Sequence, residues 1–170
     1  QAMRGAASRQ FHAVVRSSPA HRDRPRPVVL NTWEAVYFDH DFDKLVSLAE
    51  RAAAAGVERF VLDDGWFGGR RDDTSGLGDW WVSPDAHPQG LAPLIDRVRS
   101  LGMEFGIWVE PEMVNPDSDL YRAHPDWALA DPGYAPVLGR HQLVLDLTIP
   151  AAFDEILTRL QDGLADEVHR

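Results

Sequence analysis

Three short apolar runs punctuate the chain, and each closes on tryptophan and acid. Val28-Val29-Leu30-Asn31-Thr32 leads into Trp33-Glu34, Arg59-Phe60-Val61-Leu62 into Asp63-Asp64-Gly65-Trp66, and Phe105-Gly106-Ile107 into Trp108-Val109-Glu110. Continuous apolar runs of this length suit strands buried on both faces, as in parallel sheets. Between them the apolar period lengthens to three and four residues. Phe42, Leu45, Val46, Leu48, Ala49, Ala52 and Ala53 form one stripe, with Asp39 or Asp41 placed to cap its start and Gly56 to close it. Leu91, Leu94, Ile95, Val98 and Leu101 repeat the plan, with Pro93 tolerated in the first turn and Gly102 at the end. A third helix follows Thr148-Ile149-Pro150, with Phe153, Ile156, Leu157, Leu160 and Leu164 on one face. Strand–helix alternation of this kind predicts βα units and a parallel sheet.

Two parallel architectures compete. A nucleotide-binding doubly wound sheet wants a glycine-rich turn after its first strand, where this chain has Trp33-Glu34-Ala35. A (β/α)8 TIM barrel instead gathers functional side chains at the C-terminal ends of its strands, where all three clusters fall. A whole barrel takes about 250 residues, and this chain has 170. The expected fold class is α/β, a partial (β/α)8 TIM barrel made of about the first three to four βα units. Residues 27–170 are expected to form it. The chain opens on Gln1, so it is expected to begin inside a longer reading frame. Residues 1–26 read as a linker, because Arg24-Pro25-Arg26-Pro27 is an extended lead into the first strand. The arginine-rich start (Arg4, Arg9, Arg16, Arg22) also fits a transit peptide, although no cleavage-like signal accompanies it.

Composition narrows the function. A net charge of −10 from 27 acidic and 17 basic side chains disfavours nucleic-acid binding. No apolar run reaches the roughly 18–20 residues of a membrane helix, and no secretory apolar segment is present. A cytoplasmic protein with no membrane or nucleic-acid partner is expected. The absence of cysteine excludes a disulfide scaffold, a cysteine-held metal and a thiol nucleophile. The 7 histidines include no H-x-H or H-E-x-x-H pair, so no histidine metal site is expected. Asp117-Ser118-Asp119 lacks the rest of a calcium loop and reads as the N-cap of a short helix through Tyr121. No metal and no cofactor are expected.

Tryptophan and carboxylate together at strand ends suit a sugar site. A carboxylate accepts charge-assisted hydrogen bonds from hydroxyls, and an indole face covers the apolar face of a pyranose. Asp63 and Asp64 are adjacent, so at least one must leave the strand for both to face the same way. The alternatives are a hairpin turn at Asp64-Gly65, a helix cap at Asp63, core roles for Trp33 and Trp108, and a solvated loop at Glu110-Pro111-Glu112. No second alternating strand follows Gly65. Residues 65–89 instead form a long connection carrying Trp66, Trp80 and Trp81, a kind of loop that is usually functional.

Five strings in order resemble the α-galactosidases of glycoside hydrolase family 36. They are Asn31-Thr32-Trp33-Glu34-Ala35, then Leu62-Asp63-Asp64-Gly65-Trp66-Phe67-Gly68, then Gly106-Ile107-Trp108-Val109-Glu110-Pro111-Glu112-Met113-Val114-Asn115. Asp117 to Arg122 with His124-Pro125-Asp126-Trp127 follows, and then Arg140-His141-Gln142-Leu143-Val144-Leu145-Asp146-Leu147. The resemblance implies a retaining hydrolase that releases terminal α-linked galactose from galacto-oligosaccharides, in a family that is often oligomeric. It implies galactose-binding roles for Trp33, Asp63, Asp64, Trp108 and Arg140. It also makes residues 1–26 the tail of a preceding β-rich domain. The family's nucleophile sits in a lysine–tryptophan–aspartate motif on a later strand. That motif is absent here, where Lys44 is the sole lysine, so no catalytic residue is assigned. Within the class, galactosyl transfer or action on N-acetylgalactosamine is the alternative. Outside it stand a non-catalytic galactoside-binding protein and a complete small α/β domain.

Overall fold

The computed structural model describes residues 2–17, 25–131, 133–134 and 138–168. The expected linker contains a helix, α1 (Ala2–Ser17), built from alanines and arginines that favour helix. Residues 25–28, which include the two prolines, have no regular structure. Arg22, Arg24, His21 and His169 lie outside the described residues.

Three strands form a parallel sheet in the order β1-β2-β3: β1 (Val29–Asn31), β2 (Arg59–Leu62) and β3 (Glu104–Ile107). Leu30 pairs with Phe60, and Phe60 with Phe105. A four-residue helix, α2 (Trp33–Val36), follows β1 directly. The connections back are α3 (Phe42–Ala54) and α4 (Ala92–Ser100). Asp41 caps α3, its carboxylate accepting the Lys44 N–H at 2.9 Å. Gly56 and Gly102 follow the two helices at φ +84° and +82°, where a side chain would be strained. Leu45, Ala49 and Ala52 of α3 and Leu94, Ile95 and Val98 of α4 are buried, as their spacing predicts. Phe42 departs from the stripe and stays half exposed at 47%.

Beyond β3 the chain forms a two-stranded antiparallel pair, β4 (Met113–Val114) with β5 (Leu143–Val144), around α5 (Asp119–Ala123) and a 3-10 turn (Pro125–Trp127). Ser118 caps α5 by accepting the Tyr121 N–H at 3.0 Å. The buried Asp79 carboxylate accepts two more of that helix's N–H groups, from Asp119 at 2.8 Å and Leu120 at 3.0 Å. The last helix, α6 (Pro150–Val168), buries Ala152 and Ile156 but leaves Phe153 and Leu157 exposed, against the expectation for its apolar face. No helix among the described residues is long and apolar enough to cross a membrane.

The 65–89 connection is packed rather than loose. Trp66, Phe67, Leu77 and Trp80 are fully buried within it. Phe67 bridges Val82, the Ser83 N–H meets the Trp66 carbonyl at 2.9 Å, and the Gly68 N–H meets that of Trp81 at 2.9 Å. Trp81 itself faces outward, with the Arg159 guanidinium 5.9 Å from its ring. This segment forms a second layer of core over the C-terminal ends of β2 and β3.

Candidate active-site cleft

The C-terminal ends of the three strands open into a cleft of about 360 Å3, within the roughly 300–1,000 Å3 range of small-molecule sites. Trp33, Asp63, Asp64, Trp108 and Arg140 all line it, and Asn31 and Glu34 complete the wall. β2 ends at Leu62, so Asp63 and Asp64 are both free of strand alternation and can face the same space.

Asp63 is fixed from β1. Its N–H donates to the buried Thr32 hydroxyl at 3.0 Å, and its carboxylate accepts the Asn31 side-chain amide. The other end of the Asn31 amide accepts the Trp33 N–H at 2.8 Å, so one side chain orients two residues of the cleft. The second oxygen of Asp63 accepts the Asp64 N–H at 2.7 Å. Asp64 is held from a different direction, by the Arg70 guanidinium at 2.9 Å (Nε) and 2.8 Å (Nη2). The side chains of that pair are 1% and 6% exposed.

The indoles are supported at their edges. Trp33 meets Tyr37 and Phe38 edge-on, with ring centroids 5.0 and 5.1 Å away. Tyr37 adopts φ +48°, a strained conformation for a bulky residue, and its hydroxyl donates to Glu34 at 3.1 Å. Trp108 continues the β3 ladder by donating to the Leu62 carbonyl at 2.9 Å, and its own carbonyl accepts the Trp66 indole N–H at 2.9 Å. Arg140 sits in a two-residue turn whose flanks, Gly139 and Gln142, exchange backbone hydrogen bonds at 3.2 and 3.0 Å. Arg140 and His141 both have positive φ, at 53° and 61°, the sign a type I′ hairpin requires of its central pair. Neither is glycine or asparagine, so the backbone strain falls at the residue presented to the cleft.

Glu110 and Glu112 stay outside this wall. Glu110 accepts the Gln142 side-chain amide at 3.2 Å, and Glu112 is exposed. Asn31, Arg70 and Asn115 are the contributors that sequence reasoning did not single out, whereas Glu34 is the acid of the first strand-end cluster. Asn31, Glu34 and Asn115 stand inside the quoted strings, but Arg70 carries no local signal at all.

Behind the Asp64-Gly65 turn lies a buried histidine pair. His40 Nδ1 and His87 Nε2 are 3.3 Å apart, and the space where a Gly65 side chain would begin is taken by the His40 ring. Burial pushes both imidazoles from the usual 6.5 down to about 4, and nearby Arg71 adds to the effect on each. Unfolding therefore takes up protons between pH 6.5 and 4. Stability is fully present above pH 6.5 and falls as pH drops through that window, by up to about 3 kcal/mol per imidazole. Urea unfolding at pH 7 and pH 5 checks this. A His40→Asn/His87→Gln variant that keeps the whole pH dependence would show that other groups cause it.

The Melibiase family matches residues 3–168. An alpha-galactosidase of Escherichia coli is 57% identical over 154 residues, 89% of this chain and 22% of the relative's length. Alpha-galactosidase AgaA of Geobacillus stearothermophilus is 48% identical over 161 residues, 93% of this chain and 22% of its own. Among solved structures, GH36 alpha-galactosidase AgaB from the same organism superposes with a TM-score of 0.81 at 52% identity, covering 85% of this chain and 20% of that one. An AgaA variant in complex with stachyose gives 0.84 at 47% identity, covering 92% and 22%. The chain thus spans about a fifth of the length of the proteins it matches. Over the matched residues its mixed α/β fold is like theirs, and the chain belongs to the Melibiase family.

Proposed function

We propose that this chain is the galactose-recognition portion of a retaining α-galactosidase, carried on about the first three to four βα units of a (β/α)8 barrel over residues 27–170. The observation that carries the proposal is the single cleft lined by Trp33, Asp63, Asp64, Trp108 and Arg140. The β1-β2-β3 order suits half of a doubly wound sheet as well. Functional side chains at all three strand ends favour the barrel.

In this reading the chain binds and orients the sugar. Asp63 and Asp64 accept hydroxyl hydrogen bonds through the lone pairs that Asn31 and Arg70 leave open. Trp33 and Trp108 cover the apolar face, and Arg140 donates from the opposite loop. Retention needs two carboxyls about 5–5.5 Å apart, one as nucleophile and one as acid/base. Both are assigned to parts of the enzyme outside these 170 residues, because the lysine–tryptophan–aspartate motif that the resemblance ties to the nucleophile is absent from them. AgaA structures contain raffinose and stachyose, so galactosyl oligosaccharides are the substrate class proposed here. A cytoplasmic location and self-association of the whole enzyme belong to the same proposal.

The test is hydrolysis of nitrophenyl α-galactoside by the full-length enzyme, with the anomer of the released galactose followed by NMR. Net retention is expected, with a KM raised about tenfold or more in Asp63→Asn or Trp33→Ala. Net inversion would overturn the mechanism, and an unchanged KM in both variants would overturn the site.

A further inference from the structure

Arginine is among the side chains least often buried, and a buried guanidinium has five N–H groups to satisfy. Arg70 is fully buried, and its partners come from three separate segments of the chain: Phe38, the 64–75 stretch and Asn115. Nε and Nη2 grip the Asp64 carboxylate in a fork at 2.9 and 2.8 Å. The guanidinium carbon lies 5.5 Å from the centre of the Phe38 ring, which in turn meets Trp33 edge-on at 5.1 Å. Nη1 donates to Asn115 Oδ1 at 3.1 Å and to the Ser75 carbonyl at 3.2 Å. Asn115, itself fully buried, passes the contact on: its side-chain amide donates to the His141 carbonyl at 2.9 Å, in the strained turn that presents Arg140.

The neighbouring Arg71 shows what loop closure alone looks like. It donates to the carbonyls of Gly65 at 2.6 Å and Gly68 at 3.1 Å and to the Ser83 hydroxyl, all within its own connection. Arg70 turns the other way, toward Asp64 in the cleft wall and toward Phe38 and Asn115, which touch Trp33 and the turn that carries Arg140. A planar fork is required for this, since a lysine ammonium cannot grip a carboxylate with two parallel bonds while its far side serves a second partner.

Taking the galactosidase reading as its basis, we propose that Arg70 is the positioning residue of the cleft. One guanidinium orients Asp64, backs the aromatic pair at Trp33 and, through Asn115, holds the turn that carries Arg140. Arg70 touches no substrate and acts through those three.

The full-length enzyme carrying Arg70→Lys tests it. KM for nitrophenyl α-galactoside is expected to rise about tenfold or more while kcat changes less than about threefold, because the lost contacts serve binding. In an Asp64→Asn background the same substitution is expected to raise KM by a smaller factor than in the unsubstituted enzyme, since the share that runs through Asp64 is already lost while the Phe38 and Asn115 contacts remain; equal factors in the two backgrounds would mean that Arg70 does not act through Asp64. A merely structural arginine behaves differently: fewer molecules fold, so apparent kcat and Tm fall together at constant KM. Phe38→Leu, which leaves every hydrogen bond of the guanidinium in place, supplies the answer if the lysine variant does not fold, and KM is expected to rise about threefold. A wild-type KM in whichever variant folds overturns the proposal. Absence of turnover in the unsubstituted enzyme would instead refute the galactosidase reading, and galactose affinity of the two variants by calorimetry would then decide on Arg70 alone.

Discussion

Asp64→Ala is expected to lower folding stability by about 3–5 kcal/mol and to weaken galactoside binding at least about a hundredfold. The first effect comes from the partner left behind. The Arg70 side chain is 1% exposed, and two of its three nitrogens point at Asp64. Removing the carboxylate strands a cation that water cannot reach, with Asn115 and the Ser75 carbonyl as its remaining neutral acceptors. The second effect comes from losing a charged acceptor in the cleft. An exposed pair makes the contrast: Asp39 and Lys44 are 60% and 58% exposed at the side chain, so Asp39→Ala is expected to leave the unfolding midpoint nearly unchanged. Urea unfolding of both variants beside the unsubstituted protein measures the difference. Equal midpoints for Asp64→Ala and Asp39→Ala would mean that the Arg70 guanidinium is not desolvated as described.

The second large effect is Trp66→Ala, expected to remove about 3–5 kcal/mol. The indole is fully buried, meets the Phe67 ring edge-on at 5.2 Å and lies 6.1 Å from Trp80. It is also the donor to the Trp108 carbonyl at the end of β3. Trp66→Phe separates these roles. The phenyl ring keeps most of the apolar contact, so the lost hydrogen bond leaves a cost of about 1–2 kcal/mol. Because that bond fixes the backbone beneath a cleft tryptophan, KM is expected to rise in Trp66→Phe even where folding is nearly complete. Unfolding midpoints and KM of the two variants check both statements, and a Trp66→Phe enzyme with normal KM and a low midpoint would restrict Trp66 to the core.

The strands and the two helices between them were legible in the sequence because their signals are local. Leu45, Ala49 and Ala52 recur at helical spacing, Asp41 caps three residues ahead of the N–H it accepts, and Gly56 closes the turn. The same periodicity misjudged Phe42, Phe153 and Leu157, since it reports which residues share a face but not whether anything covers it. The N-terminal helix had no reading of its own: the prolines spoke only for residues 24–27, and α1 lies well before them, where alanine and arginine propensities favour helix.

For the cleft, the strand-end clusters gave Trp33, Asp63, Asp64 and Trp108 from type and position, and the resemblance gave Arg140 where the residues themselves gave only a loop. The sequence by itself therefore determined the βα rhythm, the family, and which side chains stand at the strand ends. Only the tertiary structure decided how those side chains are held. Arg70 is six positions from Asp64 and 45 from Asn115, and beside Arg71 in a polar loop it has the signature of a solvated residue. Which of two adjacent arginines turns inward depends on the carboxylate, amide and aromatic ring that distant segments bring to it, and such long-range contacts leave no period in the chain.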